Sequence, residues 1–467
     1  MFSLYNDKKI MMKTYDVIVV GLGAGGVGAS LTLALEKNLK VAVVEKEDVG
    51  GTMVIGGVNC FEPGIAIGHI QESLCKNLLN KGLGKVQKSI EGYPCENNPY
   101  AISVDYNSPY ESTLRRGSLD QRTQCRRFMF DDKAMQTEIL SRLEKSNVDL
   151  YVGYKLVSSS VINKNIEQIE IENKQGEKAT LKSKFFIDCT SDVSLAYASG
   201  CKTTIGQESK AVYGEEIAPA VSRGEINGVS LVFRISKNTE TEFKFDDNLL
   251  VDVTEWEENL LKKNNVYFCA NQYPNGDYNI NMLPTMTGKE FFSMPYEDAY
   301  KICYTRVKKL SEHLVSYERF KDYRLKYVFP MIGIREDRRI VGKYVMTLKD
   351  ILCSTKENVN RNYVAYADHI IDMHGCEGER PPITHPYGIP YECLQTNEVD
   401  NLLVASKGSS FSHIVASSCR LSRTIMDMGE SAGNACKLAI NQNKKLSQVQ
   451  LNVDIFDGYE SIGTDII

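Results

Sequence analysis

The most constraining feature of this 467-residue chain is a glycine-rich turn between a short apolar run and a stretch with helical spacing. Tyr15–Val20 is a run of β-forming residues typical of a strand buried on both faces. Gly21, Gly23 and Gly26 follow it in the pattern G-x-G-x-x-G. In such a pattern the first glycine permits a tight turn, the second lets a pyrophosphate approach the backbone, and the third lets helix and strand pack closely. This order predicts a Rossmann-like α/β unit that binds a dinucleotide.

A second predicted strand, Lys40–Val44, ends at an acidic residue. Glu45 lies about twenty residues after the third glycine, where a carboxylate can accept hydrogen bonds from the ribose hydroxyls of an adenosine. The uncharged stretch Val17–Leu35 could instead be a signal peptide or a membrane span. Its five glycines, with Asp16 and Glu36 on either side, argue against both alternatives.

The composition narrows the classes of partner and cofactor. Hydrophobic residues make up 42% of the chain and charged residues 25%, as in ordinary soluble globular proteins. A net charge of −5 provides no basic surface, which argues against nucleic acid as a partner. The thirteen cysteines are scattered without a C-x-x-C pair, so we expect no iron–sulfur cluster, zinc site or disulfide framework, and a cytoplasmic location. The spacing of His369, His374 and His385 matches no common zinc site either.

Periodicity and turn residues predict two domains, with the first interrupted by the second. The polar segment 88–125 is predicted to be a surface excursion, and Leu150–Leu181 a β-meander followed by a separate strand, Phe185–Asp188. Residues 65–80 and 414–442 have helical spacing. The predicted division is 14–204 for the N-terminal part of the nucleotide-binding domain with its parallel sheet, 205–392 for a mixed α+β substrate domain, 393–445 for the C-terminal part of the first domain, and 446–467 for a tail.

Several further motifs occur in an order that resembles one family. They are the glycine motif with Glu45 and Gly50-Gly51, then FIDCTSD, GIREDRRIVGKYV, PYGIPYECL, VDNLLVASKGSSFSHIVASSCR and MGESAGNACKLA. Together they resemble the FAD-dependent oxidoreductases of the glutathione-reductase superfamily. The closest group includes relatives of fumarate reductase flavoproteins and of the flavin subunit of heterodisulfide reductase.

The resemblance implies noncovalently bound FAD and assigns residues to it by position. Those residues are Gly21, Gly23 and Gly26 at the pyrophosphate, Glu45 at the adenosine ribose, the adjacent Lys46 as a further cofactor-binding residue, Gly51 and Thr52 at the phosphates and ribityl chain, Asp188, Thr190 and Asp192 beside the adenine half, Lys407 after the last strand, and Gly429 and Gly433 in a terminal motif whose helix points its N-terminus at the flavin. The family usually has Gly-Arg where this chain has Ser406-Lys407.

The resemblance also places Arg335, Arg338, Arg339 and His413 near the flavin as candidate catalytic residues. A guanidinium can hold a substrate carboxylate with two hydrogen bonds, and a histidine can move a proton at neutral pH. The alternative is structural. The neighbouring acids of the segment GIREDRR could pair with the arginines, and ordinary hydrogen bonds could hold the histidine.

The leading hypothesis is an oxidoreductase that transfers a hydride between flavin N5 and a small organic substrate, which can be anionic. Because one dinucleotide fingerprint occurs in the chain, we expect electrons to be exchanged with a separate, unidentified donor or acceptor rather than with a stably bound nicotinamide. Two alternatives stay open: an NAD(P)-dependent dehydrogenase that uses the same motif, and a flavin-binding protein that has lost catalysis.

Overall fold

The computed structural model describes residues 11–62, 64, 69–87, 90–92, 126–237, 243–263, 267–283, 285–316, 320–353, 361–374 and 380–451. Most of the predicted excursion 88–125 and of the predicted tail 446–467 lies outside these residues. The strands are β1 Met11–Val20, β2 Val41–Glu45, β3 Cys60–Phe61, β4 Gly84–Gln87, β5 Ile90–Gly92, β6 Arg127–Phe130, β7 Val148–Val152, β8 Tyr154–Ile162, β9 Asn165–Asn173, β10 Lys178–Asp188, β11 Thr203–Thr204, β12 Phe233–Ser236, β13 Tyr267–Gln272, β14 Tyr278–Leu283, β15 Arg324–Val328, β16 Arg339–Ile340, β17 Tyr363–Ala367, β18 Tyr387–Pro390 and β19 Leu402–Val404. The α-helices are α1 Ala24–Ala34, α2 Gly51–Val54, α3 His69–Asn80, α4 Asp132–Glu144, α5 Ser194–Ala198, α6 Lys210–Tyr213, α7 Thr254–Trp256, α8 Gly288–Phe292, α9 Tyr296–Leu314, α10 Leu348–Leu352, α11 His413–Ala416 and α12 Ser422–Gln442.

The central sheet has the strand order β7-β2-β1-β10-β9-β8, and β19 lies beside the end of β10. Strands β7, β2, β1, β10 and β19 pair with one another in parallel. The first half of β10 also pairs with β9, and β9 pairs with β8, in an antiparallel meander. Val17 pairs with Val41 on one side and with Phe185 on the other. Because the parallel strands end at one edge, their following loops converge there. The predicted α/β fold with a parallel sheet and a β-meander is confirmed.

Strand β10 differs from the prediction. The sequence suggested that the meander ended near Leu181 and that Phe185–Asp188 was a separate strand, but Lys178–Asp188 is continuous. Its first half pairs with β9 and its last three residues pair with β19, while β1 runs along nearly its whole length. The strand is buried at residues 179–181 and 186–188 and more exposed at residues 182–185, so one continuous strand has the pattern of two separate apolar runs.

A second sheet has the order β15-β12-β14-β13-β5, and its strand pairs are all antiparallel. It packs with α9 around its own apolar core, which includes Phe233, Ile280 and Val307. Strand β5 reaches this sheet from the chain before residue 126. Among the described residues, no helix combines the length and apolar character needed to cross a membrane.

The predicted helix 414–442 is divided in two. Helix α11 ends at Ala416 and α12 begins at Ser422. Leu421, with a ψ of 145°, interrupts the helical backbone between them. The start of α12 is thereby directed toward the edge of the sheet where the loops converge.

Candidate functional site

A cavity of about 370 Å³ lies at the carboxyl edge of the central sheet. Its wall comes from the loops after β1, β2, β10 and β19, from the start of α2 and β8, and from the residues around the start of α12. The predicted residues that line it are Gly21, Gly23, Glu45, Lys46, Gly51, Thr52, Thr190, Asp192 and Lys407. The cavity thus brings together most of the residues that the resemblance assigned to a cofactor.

The three glycines of the turn have different local roles. Gly21 has a φ of 92°, in the region that favours glycine, and a Cβ there would lie 2.8 Å from the backbone of Cys189. A Cβ on Gly26 would lie 1.9 Å from the carbonyl oxygen of Gly21. Gly23 has a φ of −74°, and no described atom beyond its chain neighbours lies within 4 Å of a Cβ built on it. Gly21 and Gly26 are therefore required by the protein's own packing, whereas Gly23 faces the cavity.

Glu45 lies at the end of β2 and is 8% exposed. Its Oε2 accepts a hydrogen bond from the Leu22 backbone N–H at 2.6 Å, and its Oε1 accepts one from Glu47 at 2.9 Å. Burial raises the pKa of this carboxyl, and the two backbone donors oppose that shift. These bonds hold the side chain against the cavity, where each oxygen keeps capacity for a further donor.

Asp188 does not line the cavity, which corrects its predicted place beside the cofactor. It is fully buried and accepts hydrogen bonds from Thr190 Oγ1 at 2.6 Å and from the Ala196 backbone at 2.9 Å. Burial raises the pKa of Asp188 to about 6. Thr190 in turn accepts a hydrogen bond from Ser194 N, at the start of α5. Asp188 therefore positions Thr190, which does reach the cavity.

Lys407 lines this cavity and also a second, adjoining one of about 570 Å³. Its Nζ donates a hydrogen bond to the carbonyl oxygen of Ile334. Burial lowers the pKa of Lys407 to about 8, although Asp337 and Asp192 oppose the shift. The second cavity shares Lys46, Thr52 and other residues with the first, and the aromatic side chains on its far wall are Tyr296, Tyr327 and Phe329.

Arg339 and His413 line neither cavity, contrary to the role predicted for them. Arg339 is 0% exposed and bonds with Glu208, at 2.6 Å, and with Glu336. His413, 3% exposed, contacts Glu336 Oε1 through Nδ1 at 2.9 Å, and its backbone N–H donates to Glu208 at 2.9 Å. These groups form a closed, buried network that joins β16 to α11. Both residues therefore agree with the alternative in which neighbouring acids pair with the arginine and ordinary hydrogen bonds hold the histidine.

The other two predicted arginines have different surroundings. Arg338 donates to the backbone oxygen of Asp192 at 3.1 Å, and its guanidinium lies 4.1 Å from the ring centroid of Tyr197. Arg338 therefore stabilises the loop after β10. Arg335 donates to Gly228 O at 2.7 Å and lies within electrostatic range of Arg420, which does line the first cavity.

Gly429 and Gly433 lie inside α12, away from its N-terminus, and contact α1 rather than the cavity. A Cβ on Gly429 would lie 1.9 Å from Gly25 O, and one on Gly433 would lie 3.0 Å from Ala29 O. The prediction that these glycines contact the flavin is corrected accordingly. The start of α12 reaches the cavity instead through Ser422 and Ile425.

Sequence reasoning missed Arg420, Ser422 and Met331 in the cavity wall, together with Asp372 and His374 behind it. Arg420 lies just before a helix start, which is a detectable signal, but nothing local marks Asp372. Within the described part of the chain, no three His, Cys, Asp or Glu side chains are grouped as a metal site would require.

The profile of one protein family, described as FAD dependent oxidoreductase, matches residues 16–457. The chain belongs to this family. It is therefore an FAD-dependent oxidoreductase enzyme, and the finer resemblance to one group of the glutathione-reductase superfamily stays a prediction.

Individual relatives are more distant. Dihydrolipoyl dehydrogenase 2, chloroplastic, of Arabidopsis thaliana is 39% identical over 79 residues, which cover 17% of this chain and 14% of that protein. A geranylgeranyl bacteriochlorophyll reductase-like protein from Thermoplasma acidophilum shares 14% identity at a TM-score of 0.48, covering 97% of this chain and 83% of that one. The p-nitrophenol 4-monooxygenase PnpA from Pseudomonas putida shares 12% identity at a TM-score of 0.45, covering 96% and 84%.

Proposed function

We propose that this FAD-dependent oxidoreductase transfers a hydride between a small organic substrate and flavin N5, and that electrons pass to a separate donor or acceptor. The part formed by 14–204 and 393–445 holds the cofactor, and 205–392 closes over the substrate. We also propose that the chain belongs to the subgroup that is related to fumarate reductase flavoproteins.

The open space around Gly23 is the observation that supports this proposal. Neither its φ of −74° nor any described neighbour within 4 Å requires a glycine. A side chain there would project into the cavity at the first turn of α1, where unpaired backbone N–H groups favour an anion. A pyrophosphate supplies the close approach that would make a glycine necessary. The cavity thus fits the cofactor of the family.

The remaining residues follow from that position. Glu45 would accept the ribose hydroxyls of the adenosine, and the loop from Thr190 to Asp192 would flank the adenine half. Lys407 would pair with a phosphate or hold the chain between the phosphates and the ring. The flavin ring then falls toward Met331, Arg420 and Ser422, where the N-terminal end of α12 contributes partial positive charge. When bound there, the flavin supplies a hydride acceptor or donor at N5.

The test begins with the absorbance spectrum and FAD content of the purified protein. Wild-type protein is expected to carry stoichiometric FAD. Gly23→Leu is expected to fold with an unchanged circular dichroism spectrum but to lose the cofactor, because the side chain occupies the pyrophosphate position. Gly224→Leu is the matched control, since Gly224 also has no described atom near its Cβ position but lies outside the cavity. Full FAD occupancy in Gly23→Leu would refute the proposed binding site.

A second measurement separates an enzyme from a passive flavin binder. Anaerobic mixing with a panel of small hydroxy acids, amino acids and saturated acids is expected to bleach the flavin absorbance for at least one member. A protein that holds FAD and is bleached by dithionite, but by no organic reductant, would support the non-catalytic alternative.

A further inference from the structure

The second cavity lies between the loops of the central sheet and the end of β15 in the second sheet. It adjoins the first cavity, because Thr52, Ile55 and Met331 line both. Its volume of about 570 Å³ is that of a small-molecule site, for which the usual range is about 300–1,000 Å³. A molecule in the second cavity would therefore border a cofactor in the first.

The wall on the side of the second sheet is mostly apolar and aromatic. Its residues are Tyr296, Tyr327, Phe329, Pro330, Ile332 and Ile334. Tyr296 and Tyr327 are each 39% exposed, whereas Phe329 is only 1% exposed. Aromatic rings that stay accessible inside a concave site offer a planar ligand both apolar contact and favourable ring geometry. The two tyrosine rings are thus the surface that a ligand would cover.

The protein holds both tyrosines in place. The Phe329 ring packs edge-on against Tyr327, with centroids 5.0 Å apart, and the Arg234 guanidinium lies 5.6 Å from the Phe329 centroid. Tyr296 Oη accepts a hydrogen bond from the Ile332 backbone N–H at 3.1 Å. An aromatic wall that is fixed before binding loses little conformational entropy when a ligand packs against it.

The charged groups of the cavity wall are bonded within the protein or lie in exposed positions. Asp132 Oδ1 accepts a hydrogen bond from Arg234 Nη2 at 2.6 Å, and Asp337 Oδ1 accepts one from the Arg338 backbone N–H at 2.7 Å. The exposed charged residues of the wall are Lys46, Glu47, Asp48 and Lys133. Because acids and amines are mixed, charge favours neither an anion nor a cation. The aromatic surface is therefore the feature that selects a ligand.

We propose that the second cavity binds an aromatic ring of the substrate, which packs against Tyr296 and Tyr327. This inference rests on the proposed function, which places the flavin ring toward Met331 in the wall shared by the two cavities. The substrate class is accordingly a small molecule that carries an aromatic ring. A saturated ring of the same skeleton would bury a similar area but would lack the favourable contacts between aromatic rings.

The test uses FAD-loaded protein and two probes with the same carbon skeleton and one hydroxyl group, 2-naphthol and decahydro-2-naphthol. Both alcohols are uncharged at pH 7, so charge does not contribute to the comparison. Binding is followed by perturbation of the flavin spectrum and by isothermal titration calorimetry. 2-Naphthol is expected to bind about tenfold more tightly than the saturated alcohol, as expected for contacts with two aromatic rings.

Two variants locate the bound ring. Tyr327→Leu should retain FAD but weaken 2-naphthol binding by about threefold to tenfold, because one aromatic contact is lost. Gln136→Trp should retain FAD and prevent 2-naphthol binding, because Gln136 lines the second cavity and not the first. Phe292→Leu is the control, since Phe292 is 43% exposed and lines neither cavity. If Tyr327→Leu fails to fold, the Gln136→Trp result decides.

The other outcomes separate this inference from the proposed function. Binding of neither alcohol, equal affinity for both, or unchanged 2-naphthol affinity in either folded variant overturns the inference while the FAD site stands. Competition between NADH and 2-naphthol would assign the second cavity to a nicotinamide and also overturn it. Wild-type protein that contains no FAD would refute the proposed function instead. Calorimetry on that apoprotein would still measure whether Tyr327→Leu and Gln136→Trp weaken 2-naphthol binding.

Discussion

At the scale of single residues, Lys407 lines both cavities, and its burial favours the neutral form of its amine. Its pKa is lowered to about 8 by burial, whereas the nearby carboxylates of Asp337 and Asp192 favour the protonated form. A phosphate in the first cavity would also favour the protonated form. Proton binding by Lys407 and cofactor binding are therefore expected to be linked.

FAD affinity is expected to be greatest below pH 8 and to fall as the pH rises through 8, because the free protein then loses the lysine charge that the phosphate requires. The dissociation constant should increase by about tenfold between pH 7 and pH 9.5, as expected for one charge-assisted interaction. Titration of apoprotein with FAD, followed by quenching of flavin fluorescence, measures this change. Lys407→Met should bind FAD more weakly at pH 7 and should lose the pH dependence. An undiminished pH dependence in Lys407→Met would show that Lys407 does not contact the phosphate. The control is Lys184→Met, because the Lys184 side chain is exposed.

The same scale shows why a charged motif does not identify a site by itself. Arg335, Arg338 and Arg339 lie within five residues of one another, yet they bond with a backbone carbonyl, a loop beside the cavity and a buried acidic pair, respectively. The side chains diverge because β16 begins at Arg339 and directs that residue into the core. Position in the motif was predictable, but the direction of each guanidinium was not.

At the scale of secondary-structure elements, α1 and α12 approach until their backbones touch. Gly25, Gly28 and Gly429 form this contact, and a Cβ on Gly28 would lie 2.1 Å from Met426 O. Both helices start at the cavity, so their separation sets the distance between the proposed phosphate and flavin positions. The glycines of α12 therefore act on the site through helix packing.

Gly429→Ala is expected to lower the free energy of unfolding by about 1–3 kcal/mol, because its methyl group would overlap Gly25 O and force the helices apart. Chemical denaturation of the apoprotein measures the effect without any contribution from FAD binding. The matched control is Gly224→Ala, which places the same methyl group where no described atom lies within 4 Å. Equal stability of the two variants would contradict the close packing described here.

At the scale of the whole molecule, the two sheets differ in a way that bears on electron flow. The central sheet is parallel around β1 and creates a strand–turn–helix phosphate site, whereas the second sheet is antiparallel in all its described pairs. An antiparallel sheet with hairpin connections does not align helix N-termini at one edge for a pyrophosphate. Within the described residues, the second sheet thus offers no equivalent place for a nicotinamide dinucleotide.

Flavin reduction by NADH or NADPH is accordingly expected to be absent or far slower than turnover with the physiological substrate. Anaerobic stopped-flow mixing, followed at the flavin absorbance maximum, tests this, with dithionite as the control that establishes complete reduction. Complete bleaching by either nucleotide on the timescale of turnover would refute the expectation. The second cavity would then be the candidate nicotinamide site, since its wall combines Lys46, Lys133 and Lys407 with aromatic side chains.

The sequence by itself determined the nucleotide-binding unit. The apolar strand before Gly21, the spacing of the glycines and the acid at the end of β2 depend on residues close together in the chain, and local sterics leave few conformations open to them. For the same reason the β-meander could be predicted from alternation and turn residues. These features brought most of the predicted cofactor residues to one cavity.

Only the tertiary structure decided which polar residues reach that cavity. Asp188 and Arg339 lie in predicted motifs but are withdrawn into buried hydrogen-bond networks, while Arg420 and Asp372 form a bond between segments that no local pattern connects. The physical reason is that a buried charge must find its partners in three dimensions, and long side chains can turn toward the core or toward a cavity from the same backbone position. Packing between the sheets and helices makes that choice, so it is absent from the spacing of the residues along the chain.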